Sequence, residues 1–233
     1  MDGEKPLAVL IPGLDGTGLL YFRQVDTLAP RYRVRPWRFG TGSRFDYPDL
    51  VEEIGAEISE EPPGSAVVVG ESFGGTIAIQ VALAFPDRLR RLVLVNTFPH
   101  YRGRVRIVLA RKLAPFLPFR GVRRVKNWIV ERTLIAEGIL KEDLVRYNEC
   151  IRQVDLNAYC RRLEMIRQVD LRPRLKEIAV PTLIFASGRD KIVPSVREAR
   201  AMAALIPGSR LYEFPRAGHG LLLTPGFLLS DYV

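Results

Sequence analysis

One serine in the sequence lies in a pattern that suits nucleophilic chemistry. Gly70-Glu71-Ser72-Phe73-Gly74 has the form G-x-S-x-G, follows the apolar run Ser65–Gly70 and precedes Gly74–Phe85, which has helical character. The two glycines let neighbouring backbone approach a serine held in a tight strand-to-helix turn. A plain glycine-rich turn is the alternative, but the strand–turn–helix context favours a role for Ser72 as a nucleophile.

A serine hydroxyl needs a base to take its proton, and the base needs an acid to orient it. The chain has two histidines, His100 and His219, and each follows a predicted strand. Asp190 also follows a predicted strand, and the chain order Ser72, Asp190, His219 suits such a triad. Because the carboxyl ends of parallel strands share one edge of a sheet, we predict that these three side chains meet there. The rival set Ser72, Asp87, His100 is disfavoured because Asp87 ends a helix and precedes a strand, which places it at the opposite edge.

The loop after the first predicted strand is rich in glycine. It runs Pro12-Gly13-Leu14-Asp15-Gly16-Thr17-Gly18. A serine attack on a carbonyl group creates an oxyanion, which two preorganised N–H groups stabilise. We expect these donors to be the backbone N–H groups of Phe73 and Leu14. The loop lacks the sequence patterns of phosphate-binding and dinucleotide-binding loops, so nucleotide binding is disfavoured and no cofactor is expected.

These segments resemble the α/β-hydrolases of the carboxylesterase and lipase kind. Pro12–Gly18 is similar to the family's oxyanion loop, and Gly70–Gly74 to its nucleophile elbow. Asp190, followed by Ile-Val-Pro, resembles the acid loop, and Gly218-His219, followed by Pro225, resembles the histidine loop.

The resemblance covers about Leu7–Phe98 and Ala179–Phe227. It implies a serine hydrolase that cleaves carboxylic esters through an acyl-enzyme. Related members include thioesterases and the acyltransferring phytyl ester synthases of plants, so a thioesterase or acyltransferase on acyl-CoA or acyl-carrier substrates remains an alternative. A non-catalytic binding protein of the same fold is another, although the intact set of Ser72, Asp190 and His219 argues against it.

Strand-like and helix-like segments alternate at both ends of the chain. This pattern predicts an α/β fold with a doubly wound, mostly parallel sheet and helices on both faces. The predicted strands are Leu7–Gly13, Tyr32–Phe39, Ser65–Gly70, Arg91–Val95, Thr182–Ala186 and Arg210–Phe214.

Between Phe98 and Ile178 the sequence shows helical patterns only. We therefore predict an α/β-hydrolase core formed by residues 1–98 and 179–233, interrupted by a helical cap over residues 99–178. The apolar stripes of the cap helices must be buried, and we expect them to form a lid over an apolar acyl pocket. The expected lining residues are Leu109, Leu113, Phe116 and Trp128.

Composition sets limits on the class of protein. Of 233 residues, 47% are hydrophobic and 26% are charged, which is typical of a globular protein and not of a disordered one. Cys150 and Cys160 are the only cysteines, which argues against a disulfide framework or a Cys-x-x-Cys metal site. Met1–Pro6 does not begin a secretory leader, so a cytoplasmic location is expected.

The positive charge of the chain is unevenly distributed. The net charge is +9, and residues 101–180 contain 19 Lys and Arg against 9 Asp and Glu, a net charge of +10. A solvated, arginine-rich helical surface is the favoured interpretation. The expected partner is a small-molecule acyl ester and no nucleic acid is expected, while contact of the basic cap with an anionic substrate or surface is the alternative.

Overall fold

The computed structural model describes residues 5–103 and 140–233, and six strands within them form one sheet. The strands are β1 (Leu7–Ile11), β2 (Arg33–Pro36), β3 (Ala66–Glu71), β4 (Leu89–Val95), β5 (Thr182–Ser187) and β6 (Arg210–Phe214). Their order across the sheet is β2-β1-β3-β4-β5-β6, and every neighbouring pair is parallel. The predicted parallel α/β fold is confirmed. β2 lies at an edge, where the missing N–H of Pro36 is tolerated.

Six α-helices accompany these strands in the described ranges. They are α1 (Phe22–Leu28), α2 (Tyr47–Ser59), α3 (Phe73–Ala84), α4 (Lys141–Ile151), α5 (Leu156–Gln168) and α6 (Ser195–Leu205). α4 and α5 are the described helices of the segment predicted as the cap. None of the helices in the two ranges is long and apolar enough to cross a lipid bilayer.

Both faces of the sheet are covered, because alternate residues of each strand point to opposite layers. Leu7, Val9 and Ile11 of β1 belong to the apolar cluster that also contains buried residues of α2, α3 and α6. Ala8 and Leu10 belong to a second cluster on the other face, with residues of α1 and of the C-terminal segment. This double burial explains why the sequence of β1 is a continuous apolar run.

The strand order places a topological switch point between β1 and β3. The chain moves outward from β1 to the edge strand β2 and then crosses back to β3 on the other side of β1. In open parallel sheets the crevice at such a point, at the carboxyl ends of the strands, is where ligands bind. The two loops that leave β1 and β3 there are the segments Pro12–Gly18 and Gly70–Gly74.

Candidate active site

Ser72 lies in a strained turn between the end of β3 and the start of α3. Its backbone has φ 51° and ψ −120°, and it is one of two described residues other than glycine with a positive φ. Its N–H donates to the Val95 carbonyl at 2.9 Å, and the Thr97 hydroxyl donates to the Ser72 carbonyl at 2.6 Å. Contacts from the neighbouring strand β4 and the loop after it therefore hold Ser72 in a conformation that costs free energy in isolation.

The glycines around Ser72 are required by the close approach of backbone atoms and of one side chain. A Cβ atom on Gly70 would lie 2.6 Å from the Gly74 carbonyl oxygen, and one on Gly74 would lie 2.3 Å from the Ile11 carbonyl oxygen. A Cβ atom on Gly75 would lie 2.2 Å from the Thr97 hydroxyl oxygen. Gly75 lies just outside the G-x-S-x-G pattern, so the pattern does not predict that this position also requires glycine.

The structure brings the three predicted triad side chains into one hydrogen-bonded line. The His219 Nε2 atom lies 3.0 Å from the Ser72 Oγ atom, and the His219 Nδ1 atom lies 2.7 Å from the Asp190 Oδ2 atom. The side chains of His219 and Asp190 are 8% and 1% exposed, which shields this line from bulk water.

The carboxylate of Asp190 is held on both oxygens. Its Oδ1 atom accepts from the N–H groups of Ile192 at 2.8 Å and Val193 at 2.9 Å, and its Oδ2 atom also accepts from the Ser195 hydroxyl. Burial alone would raise the pKa of Asp190, but the neighbouring His219 ring and these hydrogen bonds hold it below its ordinary value. Asp190 is therefore the charged, fixed end of the line.

His219 has a raised pKa. Burial alone would lower it, but the charge of Asp190, the hydrogen bond to it and the charge of Glu71 raise the pKa above its ordinary value of 6.5. The ring nitrogen that faces Asp190 is consequently the one that carries a proton in the neutral form, which leaves Nε2 as an acceptor toward Ser72.

Asn96, the other described non-glycine residue with a positive φ, ties together the loops that carry Asp190 and His219. Its Nδ2 atom donates to the His219 carbonyl at 2.7 Å and to the Ser187 hydroxyl at 2.9 Å, and its Oδ1 atom accepts from the Ser187 N–H at 2.9 Å. No role was predicted for Asn96 from the sequence. A polar residue directly after the apolar run Leu92–Val95 is the only sequence signal that could have drawn attention to it.

The backbone N–H groups near Ser72 include two that have no hydrogen-bond acceptor among the described residues and that belong to the predicted oxyanion donors. They are those of Phe73, the first residue of α3, and Leu14, in the loop after β1. Gly13, which precedes Leu14, lies so close that a Cβ atom there would be 3.5 Å from the Ser72 Cβ atom. The Gly13 carbonyl accepts from the Gly16 N–H at 3.2 Å, which closes a tight turn around Leu14.

A mostly apolar cavity of about 360 Å³ opens directly over Ser72. α5 contributes Tyr159, Leu163 and Ile166 to its wall. The other lining residues are Leu14, Phe98, Tyr101, Lys191, Ile192 and Val193. The lining residues expected from the sequence, Leu109, Leu113, Phe116 and Trp128, lie outside the described residues.

Comparison with known proteins assigns the chain to a family. Residues 8–230 match the alpha/beta hydrolase family. The chain belongs to that family.

Relatives of this hydrolase include enzymes named for ester cleavage. It is 30% identical over 230 residues to a pimeloyl-(acyl-carrier protein) methyl ester esterase of Photobacterium profundum, over 94% of this chain and 89% of the relative. An esterase (EaEST) from Exiguobacterium antarcticum superposes with a TM-score of 0.80 at 19% identity, over 95% of this chain and 87% of that chain. The enol-lactonase from Burkholderia xenovorans LB400 superposes with a TM-score of 0.77 at 22% identity, over 94% of this chain and 85% of that chain. Both solved structures have the same fold as this chain.

A second carboxyl group of this hydrolase is buried beside the line of three side chains. Glu71, directly before Ser72, is 9% exposed. Burial raises the pKa of Glu71 to about 7; the His219 charge opposes this, and the charges of Asp15 and Asp190 add to it. Glu71 therefore changes charge near neutral pH, within electrostatic reach of His219.

The rival set of residues does not come together in this hydrolase. His100 forms an isolated bridge with Asp170, and its Nδ1 atom lies 3.1 Å from the Val169 carbonyl oxygen. Asp87 lies in a short 3-10 helix that leads into the start of β4, at the amino end of the sheet.

Cys150 and Cys160 are free thiols, and no group of three metal-binding side chains is present among the described residues.

Proposed function

We propose that this hydrolase cleaves carboxylic esters through an acyl-enzyme, with Ser72 as nucleophile, His219 as general base and acid, and Asp190 as the group that orients His219. The observation that carries the proposal is the continuous contact from Ser72 Oγ to His219 Nε2 at 3.0 Å and from His219 Nδ1 to Asp190 Oδ2 at 2.7 Å. A serine nucleophile, its base and the orienting acid require this arrangement.

The first half of the reaction forms the acyl-enzyme. His219 Nε2 accepts the Ser72 proton as the Ser72 oxygen bonds to the ester carbonyl carbon. The N–H groups of Leu14 and Phe73 donate to the resulting oxyanion, and Asp190 stabilises the charged imidazolium. The imidazolium then gives its proton to the leaving alcohol as the carbon–oxygen bond breaks.

The second half releases the acid by the same route. Water takes the place of the alcohol, His219 accepts its proton, and the water oxygen attacks the acyl carbon. The second tetrahedral species collapses, its bond to the Ser72 oxygen breaks and His219 returns the proton to Ser72. The apolar cavity over Ser72, with Leu163 and Ile166 from α5, suits the hydrocarbon part of an acyl group. Within the described residues, α5 of the segment predicted as the cap supplies this part of the cavity wall.

Labelling with a fluorophosphonate tests the assignment of Ser72. The reagent should modify Ser72, as located by mass spectrometry of the digested protein, and abolish hydrolysis of p-nitrophenyl esters. Ser72→Ala should lose the label, and kcat should fall by up to roughly 10⁶, the size of the effect in another serine hydrolase. Ser65→Ala is the matched control, because Ser65 is hydrogen-bonded at the other end of β3. Retained turnover in Ser72→Ala, or a label on another residue, would show the assignment to be wrong.

An ester carried on an acyl-carrier protein is the second candidate substrate. The relative from Photobacterium profundum is named for such an ester, and residues 101–180 carry a net charge of +10 that favours an anionic carrier. The experiment measures hydrolysis rates for one acyl chain, presented as a methyl ester and as a thioester, each free and attached to the carrier. The ratio of the ester rate to the thioester rate distinguishes an esterase from a thioesterase. A rate advantage for the carrier-bound ester that high salt removes would support this candidate.

A further inference from the structure

A buried arginine on α5 contacts the loop that carries Leu14. The side chain of Arg162 is among the largest fully buried in the described residues, with the residue 2% exposed. Its Nε atom donates to the Leu14 carbonyl at 3.0 Å, and its Nη2 atom donates to the Asp15 carbonyl at 3.2 Å. Its guanidinium packs on Gly16, where a Cβ atom would lie 2.7 Å from the guanidinium carbon, and over the Phe39 ring at 5.6 Å.

Within the described residues, the charge of Arg162 is not used for an ion pair. No carboxylate of the described residues lies within ion-pair distance of its guanidinium. Burial lowers the pKa of Arg162 to about 10, while the more distant charges of Asp15 and Asp155 oppose that shift. The group is therefore charged at neutral pH, and backbone carbonyls of one loop are its direct partners. A buried charge is costly, and two carbonyl dipoles offset that cost only while the loop keeps its present geometry.

These contacts limit how the peptide groups around Leu14 can turn. The carbonyls of Leu14 and Asp15 face Arg162, and the carbonyl of Gly13 accepts from the Gly16 N–H. In a trans peptide the N–H points opposite to the C=O of the same unit, so the Gly13 carbonyl fixes the direction of the Leu14 N–H. Rotation of the Gly13–Leu14 peptide would turn this donor away, and the hold of Arg162 on the next two peptides opposes it.

We propose that Arg162 is a positioning residue that keeps the Leu14 N–H aimed at the oxyanion formed at Ser72. The inference rests on the proposed function, in which Leu14 is an oxyanion donor. It also links substrate contact to catalysis, because Leu163 and Ile166 of the same helix line the cavity over Ser72. Docking of α5 thereby completes the oxyanion site.

Arg161 provides a matched control on the same helix. Its Nε atom donates to the Phe45 carbonyl at 2.8 Å, and its Nη2 atom lies 2.9 Å from the Asp46 Oδ2 atom. It therefore helps to dock α5 on another loop, and neither of these two contacts involves Pro12–Gly18. If Arg162 only docks α5, Arg161→Lys and Arg162→Lys should have similar kinetic effects.

The test compares these two variants with the wild-type chain. Lysine keeps the charge but cannot reach both carbonyls with one fork of donors. We expect Arg162→Lys to lower kcat by roughly 10- to 100-fold with little change in KM, since loss of one oxyanion donor costs about 10²- to 10³-fold. It should weaken binding of a trifluoromethyl ketone, which forms an oxyanion on Ser72, by a similar factor. Binding of the matching methyl ketone should stay the same.

A second variant and a rescue experiment separate positioning from structure. Arg162→Ala should regain part of its kcat when guanidinium ion is added at concentrations that do not unfold it, and Arg161→Ala should not. Near-wild-type kcat and trifluoromethyl ketone affinity in Arg162→Lys would overturn the inference. Failure of both Arg162 variants to fold would also overturn it, because the role would then be structural. A wild-type protein that the trifluoromethyl ketone does not inhibit would instead overturn the proposed function.

Discussion

At the scale of single residues, the proposed chemistry depends on charges placed beside one imidazole. His219 lies between the Ser72 hydroxyl and the Asp190 carboxylate, and Glu71 adds a second acidic group whose pKa is raised to about 7 by burial. Both acids favour the protonated ring, so they raise the pKa of His219. The same charges that orient and stabilise the imidazolium therefore restrict the pH range in which the ring can accept a proton.

The pH dependence of turnover should follow this balance. His219 must be neutral to accept the Ser72 proton, so kcat/KM should fall with falling pH through a midpoint above 6.5, the ordinary imidazole value. In Glu71→Gln one of the charges that raise the pKa of His219 is absent, and the midpoint should move to lower pH. The matched control, Glu53→Gln on the exposed side of α2, should leave the midpoint unchanged. A profile that stays flat into the acid range would contradict a histidine base.

At the scale of secondary structure, the turn from β3 into α3 decides where Ser72 lies. α3 begins at Phe73, directly beside the carbonyls at the end of β1, and no side chain fits at Gly74. Thr97, after β4, occupies the space that a side chain at Gly75 would need, and it donates to the Ser72 carbonyl. Three neighbouring strands therefore fix the turn together.

Gly75→Ala tests this packing. Alanine in a helix is ordinarily favoured over glycine by about 1 kcal/mol. Here the added Cβ atom would meet Thr97 atoms at 2.2 and 2.4 Å, so we expect destabilisation of about 1–3 kcal/mol. kcat should fall as well, because displacement of Thr97 releases the Ser72 carbonyl. Chemical denaturation and steady-state kinetics give the two values. Gly40→Ala, at a position with open space around it, is the control, and equal stability of the two variants would refute the packing argument.

At the scale of the whole molecule, α5 supplies part of the cavity over Ser72. Tyr159, Leu163 and Ile166 come from α5, while loops at the carboxyl edge of the sheet supply much of the remaining lining. The cavity therefore lies between α5 and the loops of the sheet. Its size and apolar character depend on how α5 is docked, and Arg161 and Arg162 make that contact on two different loops.

Leu163 should determine which acyl chains fit. This side chain is 3% exposed and lines the cavity of about 360 Å³. Leu163→Trp should occupy part of that volume, so kcat/KM should fall for long-chain p-nitrophenyl esters and change little for the acetate. Val145→Trp, on the exposed side of α4, is the control for an added indole ring. An unchanged chain-length profile in Leu163→Trp would show that the acyl group binds elsewhere.

Local patterns determined much of this protein from the sequence. Continuous apolar runs predicted strands buried on both faces, and the G-x-S-x-G pattern between a strand and a helix identified Ser72. Asp190 and His219 each follow a predicted strand. Because parallel strands align their carboxyl ends, this position predicted that both residues lie at the same edge of the sheet as Ser72. Each of these inferences requires only the residues that are adjacent in the chain and the rule that the carboxyl ends of parallel strands lie at one edge of the sheet.

Tertiary structure alone decided what holds those residues in place. Asn96 bonds to Ser187 and His219, 91 and 123 residues further along, and Arg162 bonds to Leu14, 148 residues away. Nothing in the sequence near Asn96 or Arg162 encodes these partners, since each depends on how distant loops and α5 pack. Likewise, the need for glycine at Gly75 comes from Thr97, on the loop after a different strand. The residue type and its neighbours in the sequence indicate what chemistry a side chain can perform. Its orientation, however, is set by contacts that form only when distant segments pack together.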